Sequence, residues 1–212
     1  VEDAVQFIAA GEKLKHLHGV LMPREGMNPE LETALRASKV LLDCLPGSQA
    51  PRMARFARDY GLHYANLTEY VHETDEVRKI AEGAETGFIL QTGLAPGFVG
   101  VLAMHLLQEF RANFGGAEKV EYVSMKVGAL TESANPPHYY GFTWSTIGVA
   151  TEYVKDAIVI RDSKTTTLPS LSEYERLIID GVLYEADLTS GGAADLPEAL
   201  AGFVKKLDYK TI

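Results

Sequence analysis

Apolar and polar positions alternate with two different rhythms along this chain, and the change of rhythm divides it. In the first half, short apolar runs are separated by helical stripes. "KVLLDCLPG" (Lys39 to Gly47) is almost continuously apolar and ends in Pro-Gly, as expected of a parallel strand covered on both faces. "SQAPRMARFARDYG" then places Met53, Phe56, Ala57 and Tyr60 on one helical stripe closed by Gly61. "HYANLT" (63–68) reads as the next strand. In "TDEVRKIAEGAE", Thr74 is the expected N-cap, with Asp75 and Glu76 in the first turn and Val77, Ile80, Ala81 and Ala84 as the apolar stripe. "GFILQTG" gives a third strand, and "LAPGFVGVLAMHLL" a glycine-proline turn opening a buried helix. Upstream, "PELETALRAS" predicts a helix and "HLHGVLM" a strand.

Strand, helix, strand, helix, strand at this pace means right-handed βαβ units and a parallel sheet. Ligands of such sheets sit beyond the carboxyl ends of the strands, which directs attention to "LPGS", "NLTEY" and "TGLAPG". Beyond about Gly116 the pattern becomes period-two. "KVEYVSMKVGAL" sets Glu121, Val123, Met125 and Val127 on one face and Val120, Tyr122, Ser124 and Lys126 on the other. "AIVIRDSKTTTLP" predicts a hairpin turning at Asp162-Ser163, and "GVLYEADLT" another strand. Ser145, in "TWSTIGVATEYV", is placed to cap a short helix. The expected fold is α/β: a Rossmann-type parallel sheet whose N-terminal part lies outside the sequence, then an α+β domain with a mixed or antiparallel sheet. The boundaries read as 1–115 for the dinucleotide-binding remainder, 116–195 for the substrate and dimerisation domain, and 196–212 for a return to the first.

Composition narrows the partners. The 212 residues are 46% hydrophobic and 23% charged with a net charge of −9. An acidic chain without a basic run argues against nucleic acid. No apolar run reaches the roughly 18 residues that span a bilayer, so no membrane segment is expected. One cysteine, Cys44, excludes an intrachain disulfide and fits a reducing, cytoplasmic setting. Within its apolar run that thiol reads as buried packing, and His105 as a buried histidine inside a helix. His16 and His18 lack further ligands at metal spacing, so no metal site is expected. The chain opens on Val1 without methionine and reads as a piece of something longer.

Chemistry is harder to place. The "TGLAPGFVG" turn admits two readings: a helix N-terminus facing a ligand, or glycines that permit only a tight turn and close packing. Asp43, Asn66 and Glu69 are polar groups at strand ends. No G-x-S-x-G, P-loop or H-E-x-x-H occurs, and no G-x-G-x-x-G; a pyrophosphate fingerprint would belong upstream of Val1. Arg161 is a candidate for pairing a substrate carboxylate, its bland alternative being a hairpin residue beside Asp162. No residue is assigned a catalytic role.

"VLLDCLPGSQAPRMARFARDYGLHYANLTEY", "ILQTGLAPGFVGVLAMHLL", "YYGFTWST" and "AIVIRDSKTTTLPSL", in that order, resemble the saccharopine dehydrogenase family. These are the glutamate-forming, saccharopine-reductase-like enzymes, with carboxynorspermidine and homospermidine synthases as relatives. The resemblance covers most of Lys39 to Leu171. It implies reversible NAD- or NADP-dependent reduction of an imine joining an amino acid to an aldehyde-bearing substrate. It also implies that Leu45, Pro46 and Gly47 line the cofactor, and that Asn66, Thr68 and Tyr70 with Leu94, Ala95, Pro96 and Gly97 border the nicotinamide. Trp144 and Ser145, with Tyr70, would then serve the amino-acid substrate. Relatives often carry Asp at the position of Asn66 and "GLDPG" where this chain has "GLAPG". The departures motivate a rival reading, an idle family member kept as a binding or dimerisation module; a different Rossmann reductase is a third. A homodimer through the sheet of the second half is expected.

Overall fold

The computed structural model describes residues 17–68, 71–115, 119–131, 135–136, 141 and 146–212. Its first sheet holds β1 (Val40–Asp43), β2 (His63–Asn66) and β3 (Phe88–Ile89), all parallel and in that order. Helix α1 (Pro29–Ala37) begins where Asn28 accepts a hydrogen bond from the Leu31 amide at 2.7 Å, with proline in its first turn. Helices α2 (Ala50–Asp59) and α3 (Val71–Ala81) form the crossovers. Leu35, Met53, Ala54, Ala57 and Val77 from the three helices enclose Tyr64 in one core, where the Tyr64 and Phe88 rings meet at 5.4 Å.

Within this chain the first sheet is covered on one face. Val40, Leu42 and Ile89 are 60, 63 and 63% exposed, because all three helices pack against the opposite face of the sheet. Two local readings also change. Residues 17–22 form no strand. Thr74 is no N-cap, since α3 starts at Val71 and buries it.

The second sheet is built from β4 (Val120–Val127), β5 (Ala157–Arg161), β6 (Lys164–Leu168), β7 (Glu175–Ile179), β8 (Val182–Leu188) and β9 (Val204–Thr211). It runs β6-β5-β9-β8-β7, with β4 added along β9. Asp162 and Ser163, both at positive φ (50° and 65°), close the two-residue β5–β6 hairpin as expected. Helix α4 (Phe98–Asn113) lies on this sheet, burying Val99 and Leu107 with Val120, Met125, Leu207 and Tyr209. It therefore packs with the second sheet, although the sequence boundary places it with the first. The short helices α5 (Thr146–Val154) and α6 (Leu196–Leu200) complete the described elements.

The largest correction concerns residues 196–212. They do not go back to the first sheet: β9 is the central strand of the second, parallel to β4 and antiparallel to β5 and β8. "VKKLDYKT" reads as polar, yet Asp208 and Lys210 are 0 and 4% exposed. They are buried as charges because each has partners. Arg161 Nη1 lies 2.5 Å from Asp208 Oδ1, Lys206 Nζ 3.3 Å from Asp208 Oδ2, and Lys210 donates to the Glu173 carbonyl.

Candidate functional site

Three loops leave one edge of the parallel sheet. Asp43 is level with Asn66, and Ala65 with Ile89, so the segments after the three strands emerge side by side, the position where ligands of such sheets bind. A buried hydrogen-bond chain ties them together. The Leu45 amide donates to Asp43 Oδ1 at 3.0 Å, and the Tyr64 hydroxyl to Asp43 Oδ2 at 2.8 Å. Asn66 Nδ2 donates to that hydroxyl at 3.3 Å, while Asn66 Oδ1 accepts from the Gln91 amide at 2.9 Å. Thr92 adds its amide and hydroxyl, both donating to the Asn66 carbonyl. Burial, reinforced by the bond to Asp43, raises the Tyr64 phenol well above the ordinary tyrosine range. The phenol therefore stays protonated, and its bonds hold the loops in one arrangement.

Upon this frame sit the residues named from the sequence. Leu45 and Pro46 are exposed; Gly47, beneath them, is buried and opens a 3-10 turn. Leu94 is exposed, Ala95 and Gly97 are partly covered, and Pro96 is buried after a cis peptide. Thr68 at the tips, like Thr74 within α3, carries an unsatisfied hydroxyl, and is only 8% exposed. Tyr70, Trp144 and Ser145, with Glu69, lie outside the described residues.

The turn before α4 resolves the two readings given to it. The amides of Phe98 and Val99 donate to the carbonyls of Gly93 and Leu94, and those of Gly100 and Val101 both to Gly97, at 2.9 to 3.1 Å. The first-turn donors are spent within the loop, so this helix N-terminus does not offer them to an anion. Gly97 closes the loop at φ 130°, where a Cβ would stand 2.3 Å from the Gly93 carbonyl. Glycine here serves the turn.

Three other expectations move. Arg161 is engaged by Asp208, by Glu173 at 2.8 Å and by the Ile160 carbonyl of its own strand. Burial opposes its charge, but hydrogen bonds to Glu173 and Asp208 outweigh that and raise its pKa. It is a paired structural cation, not an open fork for a carboxylate. Cys44 is exposed, because β1 ends at Asp43 and the thiol follows in the loop. His105 is likewise exposed, 3.5 Å from Glu109 one turn on. Tyr64 was missed by sequence reading; its signal was the shared strand face with Asn66, level with Asp43. A cavity of about 520 Å³ is lined by His72 and Glu73 of α3, Glu152 of α5, and Thr189 and Ser190 after β8, among others.

The family model described as the saccharopine dehydrogenase C-terminal domain matches residues 93–211, from the glycine turn through β9. The chain belongs to this family. Apo saccharopine dehydrogenase (L-Glu forming) from Saccharomyces cerevisiae is similar in fold, with a TM-score of 0.65 at 18% identity over 86% of this chain and 42% of that one. A Klebsiella pneumoniae protein named as an oxidoreductase matches at a TM-score of 0.37 and 12% identity, over 84% of this chain and 46% of that one. The chain thus spans less than half the length of each of these solved proteins. Its family is one of oxidoreductases. Among the described residues no helix is long and apolar enough to cross a membrane.

Proposed function

We propose that the chain forms the substrate-side portion of an NAD(P)-dependent oxidoreductase of the saccharopine dehydrogenase type. Its reaction is the reversible reduction of an imine between an amino acid and an aldehyde-bearing substrate. The observation that carries this reading is the orphaned Thr68 hydroxyl at the convergent strand tips. A buried hydroxyl without a partner costs on the order of 1–3 kcal/mol, and a bound polar group at the tips relieves it. The site fits the nicotinamide end of the cofactor: Leu45, Pro46 and Leu94 supply exposed apolar surface for a flat ring, and Thr68 a donor for its amide. It does not fit the pyrophosphate, since the amides at the start of α4 are already bonded within their own turn.

When bound, the nicotinamide supplies the hydride, which is the cofactor's own chemistry. The residues of this chain contribute position and exclusion of water. The Asp43–Tyr64–Asn66 chain holds the three loops at fixed spacing, the requirement for a reacting pair to meet in line. Asn66 and Ala95 keep that edge less acidic than a pair of carboxylates would. The single cysteine agrees with a reducing, cytoplasmic compartment.

Titration with NADH and NADPH, followed by the fluorescence of the sole tryptophan, Trp144, tests the reading. A saturable change with one nucleotide is expected. Thr68→Val is expected to weaken it about tenfold, the equivalent of one hydrogen bond, while leaving the apo protein as stable or up to about 1 kcal/mol more stable. No response to either nucleotide favours the rival, a fold retained as a binding module, which the bonded amides before α4 support.

A further inference from the structure

The cavity of about 520 Å³ lined by α3, α5 and the loop after β8 has no part in the reading above. It has the volume of a small-molecule pocket, and its charge is one-sided. Glu73 and Asp75 line it from α3, Glu152 from α5, and Asp156 from just beyond α5. Lys155 and His72 are the basic groups on the same wall. Asp75 lies 3.5 Å from Arg78, but among the described residues Glu73 and Asp156 have no ion pair. Helix α5 also ends here, and the negative pole of its dipole adds to the carboxylates.

Ser190 is the second observation. It lines the cavity and is 8% exposed, yet its hydroxyl has no hydrogen-bond partner among the described residues. A buried hydroxyl is ordinarily paired. Its neighbour obeys that rule, since the Thr189 and Thr211 hydroxyls share a bond of 2.6 Å. The loop that carries Ser190 is held from both sides. Its amide donates to the Glu152 carbonyl at 3.0 Å, and its carbonyl accepts from the Gly192 amide at 3.1 Å. Gly192 in turn lies against the Tyr209 ring, where a Cβ would stand 2.0 Å from the ring. The hydroxyl is thus set in the cavity wall before any ligand arrives, which lowers the entropic cost of binding.

We infer that this cavity binds an aliphatic ammonium. The charged end donates to the Ser190 hydroxyl and is balanced by Glu73 and Asp156, while the carbon chain lies on Ile158 and Ala193. An ammonium has three donors and no acceptor, so it serves the hydroxyl and two carboxylates together. A carboxylate or phosphate meets like charge here. A neutral alcohol satisfies Ser190 but leaves the carboxylates without a counter-ion. The inference goes beyond the proposed reaction and needs no nucleotide.

Ligand-observed NMR titration of the intact chain tests it, with n-pentylamine hydrochloride, n-pentanol and sodium pentanoate as probes and no nucleotide present. The amine should saturate at millimolar concentration, at least about tenfold tighter than the alcohol, and weaken as salt is added. Pentanoate should not bind. Ser190→Ala should weaken the amine about tenfold, the equivalent of one hydrogen bond to a charged group, without lowering the melting temperature. Glu73→Gln and Asp156→Asn should each weaken it about two- to fivefold, as for partly exposed ion pairs, and leave pentanol unchanged. Glu121→Gln, at a residue paired with Lys205 and outside the cavity lining, should have no effect. Absence of saturable amine binding overturns the proposal. So does pentanol or pentanoate binding as tightly as the amine, or amine binding indifferent to Ser190→Ala and Glu73→Gln. None of these outcomes bears on the NADH and NADPH titration, which stands or fails separately.

Discussion

At Asn66 one side chain holds two loops, donating to the Tyr64 hydroxyl and accepting from the Gln91 amide. An aspartate in its place keeps the acceptor but sets a second carboxylate against the hydroxyl that already serves Asp43. Asn66→Asp should therefore destabilise the fold at neutral pH by about 1–3 kcal/mol. Burial and the neighbouring carboxylate raise the folded pKa of the new acid, so the loss grows as pH rises through that value and shrinks below the ordinary aspartate range. Denaturant melts at pH 4 and 7 read the difference: the gap to wild type should narrow at the lower pH. A nearby pair of glycines provides a steric test. Gly97→Ala must force a Cβ to 2.3 Å from a carbonyl at positive φ, whereas at Gly100 the same methyl meets open space within α4. The first should cost about 3 kcal/mol or more. The second should be neutral or gain up to about 1 kcal/mol from helix propensity. Thermal melts of the two variants decide.

Among the elements, β9 carries the most unusual load: a buried aspartate and a buried lysine on the face opposite its hydrophobic one. Arg161, Lys206 and Tyr122 converge on Asp208, the tyrosine donating at 2.8 Å. Removing the carboxylate leaves Arg161 and Lys206 to Glu173 and takes the acceptor from the Tyr122 hydroxyl, so Asp208→Ala should cost about 1–3 kcal/mol, measurable by urea unfolding. The same cluster sets a response to alkali. Burial, then the hydrogen bond and charge of Asp208, push Tyr122 up to about 12 from an ordinary value near 10. The folded state then binds the phenolic proton more tightly than the unfolded chain. That contribution is complete below pH 10 and is lost as pH rises through about 12. Tyr64 acts in the same sense. Stability should fall across this window, and Tyr122→Phe should flatten the fall; absorbance at 295 nm during alkaline titration follows the phenols.

For the molecule as a whole, two sheets with different rhythms meet at the glycine turn, where the family match also begins. Much of the first sheet was legible, since Met53 and Ala57 announce their buried stripe and Pro46-Gly47 the end of β1. The positive-φ hairpin at Asp162-Ser163 was legible for the same reason: each signal is local. β9 was not, because a strand whose charges are paired across the sheet looks like a solvated segment. Neither was the bare face at Val40, Leu42 and Ile89, as an apolar residue looks the same whether or not a layer covers it. The candidate site divides likewise. Its loops were placed from strand ends, whereas Tyr64 as the link between Asp43 and Asn66 required the register of neighbouring strands.

Local periodicity, turn chemistry and composition by themselves determined an α/β chain with a parallel sheet, a later β-rich part and strand-tip loops. They can do so because helix stripes, alternation and glycine turns depend on residues a few positions apart. Only the tertiary structure decided that α4 joins the second sheet, that its first-turn amides are spent within their own loop, and that Thr68 is buried without a partner. Those facts depend on groups distant in sequence. Desolvation and hydrogen bonding act through space, and a linear pattern does not record which groups meet there.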